Sequence, residues 1–239
     1  MTKIRVATWN LKWAKPDSDR GRACEERLRE VDADIVCLTE AYENSFQSFD
    51  GQSASSNPDT GYPIHKGRRK VVIWSRWGLA NVDDLGSDQL PSGRFVSATV
   101  QHCVLLSLVG VCIPWKDAHV KGGHQNRERW EDHSIYLSAL NDVPQFKPNA
   151  FPTIVFGDFN QRMSGKYARK DVHEQLKQTF GHFAIPTGDL QDTDGKSAID
   201  HIAIRGNVEL VDTGVISRFD SNQKELSDHF GTWCDVTIS

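Results

Sequence analysis

No stretch of this chain is long and apolar enough for a membrane span or a signal sequence, since crossing a bilayer takes about 20 consecutive apolar residues. The expectation is a cytoplasmic protein. The five cysteines form no CxxC pair, which removes the usual thiol-based metal and redox motifs. Cys37, Cys103, Cys112 and Cys234 sit in apolar runs and are expected to be buried free thiols of a reducing compartment. The Gly-x-Ser-x-Gly elbow is missing too, so a serine nucleophile of that kind is excluded. There is no basic excess: 28 Lys and Arg face 32 Asp and Glu, for a formal net charge of -4. Nucleic-acid-binding domains are commonly basic, but a local basic groove can coexist with an acidic metal site. No internal repeat, low-complexity tract or interdomain linker is visible. At 239 residues and 38% hydrophobic content, residues 1–239 are expected to form a single domain with a substantial core.

What the chain does have is a recurrent pattern of short apolar runs that stop at a polar, oxygen-rich side chain. In Thr153-Ile154-Val155-Phe156-Gly157-Asp158-Phe159-Asn160, four residues suited to a buried strand run into a glycine and end on a carboxylate and a carboxamide. Their two-residue spacing aims Asp158 and Asn160 the same way at the strand's exit, where open sheets usually place ligands. An Asx-turn closing a core strand is the plainer reading of the same residues. The pattern recurs in Ile4–Asn10 and Asp34–Glu40, and twice an aspartate is followed at once by histidine, at Asp200-His201 and Asp228-His229.

These five segments, in this order, resemble the endonuclease/exonuclease/phosphatase superfamily, whose members include DNase I-like nucleases, abasic-site endonucleases, sphingomyelinases and inositol-polyphosphate phosphatases. The resemblance spans Asn10 to His229. It implies an α/β (α+β) DNase I-like fold, a four-layer sandwich of two packed mixed β-sheets flanked by helices. It also implies hydrolysis of a phosphoester by an activated water, with Glu40 as the principal ligand of one Mg2+ or Mn2+ and Asn10 and Asp228 as further ligands. Hard divalent cations take such oxygen donors. Asp158 would orient or deprotonate the water, Asn160 would donate to the developing charge, and His229, held by Asp200, would donate to a phosphoryl oxygen. A zinc site is a poorer match, because catalytic zinc is usually histidine-dominated.

Two departures bear on substrate. Lys12 stands where some abasic-site nucleases carry a second carboxylate, which weakens a two-metal reading. The strand ending Cys112-Ile113-Pro114-Trp115 has neither the histidine nor the tyrosine and asparagine that relatives place there, leaving Trp115, Lys116 and His119 as substitutes for contact with the phosphate or leaving group. Arg127 and Arg129 are placed to face a phosphate or to lie on a solvated helix face. Arg162 and Lys166 follow the Asp158-Asn160 pair directly, and Arg68-Arg69-Lys70 would close a long polar loop over residues 43–70. Gly93-Arg94 also recurs in the family, its arginine read as structural. A monomeric nuclease or phosphodiesterase with a nucleic-acid substrate is the leading expectation. A small or lipid phosphoester substrate is the alternative, and a non-catalytic scaffold is the reading from another class. Clustered carboxylates without a cation are costly, which counts against the scaffold.

Further expectations concern elements: a helix between Asp17 and Asp32, neighbouring strands at 71–75 and 95–100, a central strand from Val104 to Ile113, and helices ending near Leu140 and Phe180. The proline-rich segment from Asp142 to Pro152 reads as a connector, and strands are expected at Ala198–Ile204 and Gly231–Ile238.

Overall fold

The computed structural model describes residues 2–147 and 151–239. Two sheets face each other. The first is six-stranded, in the order β10-β11-β1-β2-β4-β3, and the second five-stranded, β5-β6-β7-β8-β9. The strands are β1 (Thr2–Asn10), β2 (Ile35–Tyr42), β3 (Gln52–Ser55), β4 (Arg68–Ser75), β5 (Leu79–Asp83), β6 (Phe95–Gln101), β7 (Leu105–Cys112), β8 (Thr153–Asp158), β9 (Asp200–Arg205), β10 (Val208–Ile216) and β11 (Gly231–Ile238). The helices are α1 (Asp19–Val31), α2 (Glu131–Leu140) and α3 (Lys170–Thr179). Both sheets are mixed: β1 runs parallel to β2 and β7 parallel to β8, while the other pairs are antiparallel.

Strand alternation builds the layers. Along β1, Ile4 and Val6 point between the sheets, where they meet Ile35, Ile73, Leu108, Ile154, Phe156 and Ile202. The intervening Ala7 and Trp9 turn outward with Val36, Leu38 and Trp74, and Leu28 and Val31 of α1 cover them. On the far side, Val109, Val111, Val155 and Ala203 are covered by Tyr136, Leu137 and Leu140 of α2 and Leu176 of α3. The result is the expected helix–sheet–sheet–helix sandwich. Gly157 is obligatory in it. Its φ is +141°, and a Cβ there would sit 1.9 Å from the Val111 carbonyl oxygen on the parallel neighbour β7.

The structure corrects several local expectations. Residues 43–70 are not one loop, because Gln52–Ser55 forms edge strand β3 on β4, and Arg68-Arg69-Lys70 opens β4 itself. A four-residue polar edge strand carries no apolar alternation by which to find it. The strands at 71–75 and 95–100 are not neighbours: β4 pairs with β2 and β3, β6 with β5 and β7. β10, exposed along most of its length, was not foreseen. Cys103 is exposed, whereas Cys24, Cys37, Cys112 and Cys234 are buried free thiols. The expected connector at 142–152 contains a 3-10 turn at Pro144–Phe146, and its residues 148–150 lie outside the described residues.

Candidate active site

The parallel pairs bring the polar ends of several strands to one rim. Asn10 closes β1, Asp158 closes β8, Asp200 opens β9, and Glu40 sits near the end of β2. The Ser227–His229 segment is tied across this rim: Ser227 Oγ donates to the Asn10 carbonyl at 2.6 Å, and Trp9 Nε1 donates to the His229 carbonyl at 2.9 Å. Asn10, Glu40, Asp158, Asp228 and His229 line a cavity of about 840 Å3.

Asp158 is its buried centre. Its Oδ1 accepts the Asn160 backbone N–H at 2.8 Å, and its Oδ2 accepts Asn10 Nδ2 and Asn160 Nδ2, each at 3.0 Å. Burial nonetheless raises its pKa to about 7, with negative Asp200 pushing the same way, while His229 and the hydrogen bonds from Asn160 and Asn10 pull it down. Asp200 is wholly buried, and its Oδ2 meets His229 Nδ1 at 2.6 Å. Burial raises the pKa of Asp200 against the pull of His229. For His229 burial lowers the pKa, but Asp200 and Asp158 more than offset it, and the imidazole is raised to about 9. His229 is therefore a cation at neutral pH, held through Nδ1, while Nε2 has no hydrogen-bond partner among the described residues.

The donor set fits a hard divalent cation. Glu40 faces the cavity with a left-handed φ of 46°, and its Oε1 is met at 2.6 Å by the Lys70 ammonium, a cation already standing at this carboxylate. Asn10 Oδ1 accepts the Lys12 backbone N–H at 2.9 Å, which leaves one lone pair free. The carboxylate of Asp228, the third expected ligand, lines the same cavity but is half-exposed and paired with Lys12 at 3.2 Å. Ligand atoms of Asp158, Asp200 and His229 also lie within 4.8 Å of one another. Two of those three groups already bind each other, Asp200 Oδ2 lying 2.6 Å from His229 Nδ1, and we read the trio as a charge cluster.

Expected contacts with substrate divide three ways. Trp115 lines the main cavity, and with Lys116 and Arg162 it also lines a smaller adjoining one of about 180 Å3. His119 does not reach either: it is buried, its Nε2 3.1 Å from the Thr60 carbonyl, its Nδ1 accepting the His124 N–H at 3.1 Å, and Asp132 3.6 Å away. It braces the loop at 60–62. Arg127 is likewise spent on Asp132 at 2.7 Å, whereas Arg129 does line the main cavity. Asn160 also departs from its expected part, since the two hydrogens of Nδ2 go to Asp158 and to the Ile113 carbonyl at 2.8 Å. It holds Asp158 in place and has no donor left for developing charge.

Two cavity residues were underrated in the sequence. Arg94 is 2% exposed and lines the cavity, yet no carboxylate pairs with its guanidinium among the described residues. A buried arginine without an anion is anomalous unless an anion comes and goes. The Gly93-Arg94 recurrence was the available signal. Lys70 faces Glu40 across the β2–β4 ladder, a juxtaposition that the pairing register reveals and the sequence does not.

The fold is a two-sheet sandwich with amide, carboxylate and histidine groups gathered at one rim. The family model for the Endonuclease/Exonuclease/phosphatase family matches residues 7–229. The chain belongs to that family. No curated protein sequence matches it. Among solved structures, TDP2 from D. rerio complexed with a single-strand DNA product aligns at TM-score 0.72 and 14% identity, covering 100% of both chains. An AP endonuclease from Archaeoglobus fulgidus aligns at TM-score 0.71 and 18% identity, over 99% of each chain. The 3' phosphatase NExo from Neisseria, bound to a product DNA hairpin, aligns at TM-score 0.72 and 15% identity, also over 99% of each. At these identities the likeness establishes the fold.

Proposed function

We infer that this protein is a Mg2+- or Mn2+-dependent phosphodiesterase acting on nucleic acid, as one cytoplasmic, monomeric domain over residues 1–239. The observation that carries the chemistry is the pairing, within one cavity, of a buried carboxylate whose proton affinity lies near neutrality with a histidine held positive by a second buried carboxylate. Asp158 takes a proton from the attacking water and aims it, its geometry fixed by Asn10 and Asn160. His229 offers its free Nε2–H to a phosphoryl oxygen, and Asp200 keeps the ring charged and oriented. Arg94 supplies the fixed positive charge that a phosphate needs on leaving water. Glu40 and the free lone pair of Asn10 are the donors for the divalent ion, with Asp228 at the edge of the set. When bound, that ion neutralises charge on the phosphate.

Nucleic acid as substrate is supported by the cations along the cavity, Arg68, Lys70, Lys121 and Arg129, and by relatives of the same fold solved with DNA products. A second reading, a small phosphoester, is favoured by a different feature: part of the cavity wall is Pro58, Tyr62 and Pro63, a surface suited to a compact apolar group. No helix among the described residues is long and apolar enough to cross a membrane.

The test is hydrolysis of plasmid DNA, single-stranded DNA, RNA and bis(p-nitrophenyl) phosphate in Mg2+, Mn2+ or EDTA, with Asp158→Asn and His229→Ala as controls. Metal-dependent cleavage lost in both variants supports the mechanism, and the substrate cut decides between the readings. Silence on every substrate, together with no metal binding, sinks both.

A further inference from the structure

The smaller cavity beside the active site has a composition of its own. Trp115, 48% exposed, lines both this cavity and the main one. Tyr167, 71% exposed, also lines it, and its ring lies 4.8 Å below the Arg162 guanidinium and 5.1 Å from the Lys166 ammonium. Lys116 completes the rim, and none of these three cations pairs with a carboxylate among the described residues. Elsewhere on this surface cations are commonly neutralised, as in Arg69 with Glu43, Arg76 with Asp32, and Arg218 with Asp192.

The arrangement is built. Trp130, itself buried, donates its backbone N–H to the Lys116 carbonyl at 2.7 Å and so fixes the segment that carries Trp115 and Lys116. Tyr167 is held at a φ of +73°, a conformation that a bulky residue adopts only when its surroundings impose it. The turn before it depends on Gly165, where a Cβ would meet the His173 ring at 2.7 Å. An aromatic ring that spends backbone strain to stand in water, among unpaired cations and next to a hydrolytic centre, has the makings of a stacking platform.

We propose that this cleft is a subsite for an unpaired nucleotide next to the scissile phosphate, so that the enzyme takes single-stranded nucleic acid. It rests on the phosphodiesterase reading above for the neighbouring site. The base lies against the Trp115 ring and against the stack that Arg162 makes on Tyr167, and the flanking phosphates meet Lys116 and Lys166. The cleft is about 180 Å3, the scale of one base. Stacking reads a π-face and not a base edge, so the subsite tolerates any sequence.

Equilibrium binding tests this, in EDTA and low salt so that nothing is turned over. The ligands are labelled single-stranded DNA and RNA of about 12 nucleotides, a length that comfortably spans one such platform, and the blunt duplex of the same sequence. The proteins are wild type, Tyr167→Ala and Tyr167→Phe. Because Tyr167 is exposed, its replacement leaves the core untouched, and thermal unfolding of each variant verifies that. The expected result is preference of the wild type for a single strand, a loss of roughly tenfold in Tyr167→Ala, and retention in Tyr167→Phe, which keeps the ring. The subsite is overturned if the duplex binds as tightly as the single strand, if Tyr167→Ala binds like wild type, or if Tyr167→Phe falls as far as alanine. Hydrolysis of bis(p-nitrophenyl) phosphate by the same preparation isolates the catalytic reading. Turnover of that diester without a single-strand preference overturns the subsite alone, and single-strand binding without any hydrolysis overturns the catalytic reading alone.

Discussion

Replacing Asp200 by asparagine should damage the enzyme in a way that depends on pH. The Asn160 and Asn10 bonds to Asp158 do not involve Asp200, so the carboxylate proposed to activate water stays in place. Asp158 loses a neighbouring negative charge that raised its pKa, and His229 loses its charged partner. Burial opposes its charge, and Asp200, with Asp158 behind it, raises its pKa from 6.5 to about 9. An asparagine can still accept from Nδ1–H but brings no charge, so the imidazole should titrate at or below its ordinary value. With a wild-type alkaline limb near 9, about nine-tenths of His229 is protonated at about pH 8, against about 3% for a limb at 6.5, by the titration arithmetic of a single site. The expected loss in kcat/KM is then roughly 30-fold at about pH 8 and only about twofold at about pH 6.5. The assay is the pH profile of kcat/KM for wild type and Asp200→Asn on one substrate at saturating Mg2+. The limbs belong to the coupled Asp158–Asp200–His229 cluster as a whole. If the variant loses the same factor at every pH, Asp200 does not act by keeping His229 charged, and the mechanism fails at that step.

Other outcomes follow from neighbouring groups. Lys70→Met removes the cation at Glu40, so the metal-free protein should lose roughly 1–3 kcal/mol while Mg2+ affinity rises; unfolding temperature against Mg2+ concentration reads both, and unchanged affinity would mean that Lys70 and the ion do not compete. Arg94→Met should leave stability unchanged or improved, since an unpaired buried charge is removed. It should also lower kcat/KM on the order of tenfold to a hundredfold through the lost charged hydrogen bond; substantial destabilisation would instead make Arg94 structural. Raised folded-state pKa values at Asp158, about 7 against 3.8, and at His229, about 9 against 6.5, both bind protons more tightly in the folded protein. Their contribution to stability is therefore complete below the unfolded values and is lost as pH climbs through about 7 and then about 9. Metal-free protein should melt lower at about pH 9.5 than at about pH 6.5, and a rise over that interval would contradict the charge cluster.

The sequence disclosed the groups at strand ends because there chain order and chemistry coincide. Asn10, Asp158 and Asp200 stand at the ends of apolar runs, and alternation is enough to say that their side chains leave the core together. What stayed hidden depends on pairing between distant segments. Lys70 is one cation in a basic triplet until β4 is laid antiparallel on β2, and only then does it face Glu40. His119 looked like a free histidine beside a strand end, but Thr60 and His124 occupy both its ring nitrogens. Asn160 was legible as a site residue and misjudged in its task, because counting its two amide hydrogens requires knowing that the Ile113 carbonyl lies within reach. Arg94 shows the same limit from the other side. A local pattern marks a residue as recurrent, but only burial without a counter-ion turns recurrence into a statement about ligand charge. Position along the chain therefore identifies the candidate site groups. The proposed nucleic-acid reading rests instead on contacts that the described residues leave unfilled: the bare guanidinium of Arg94, the free Nε2 of His229 and the cations around Tyr167, which no carboxylate pairs.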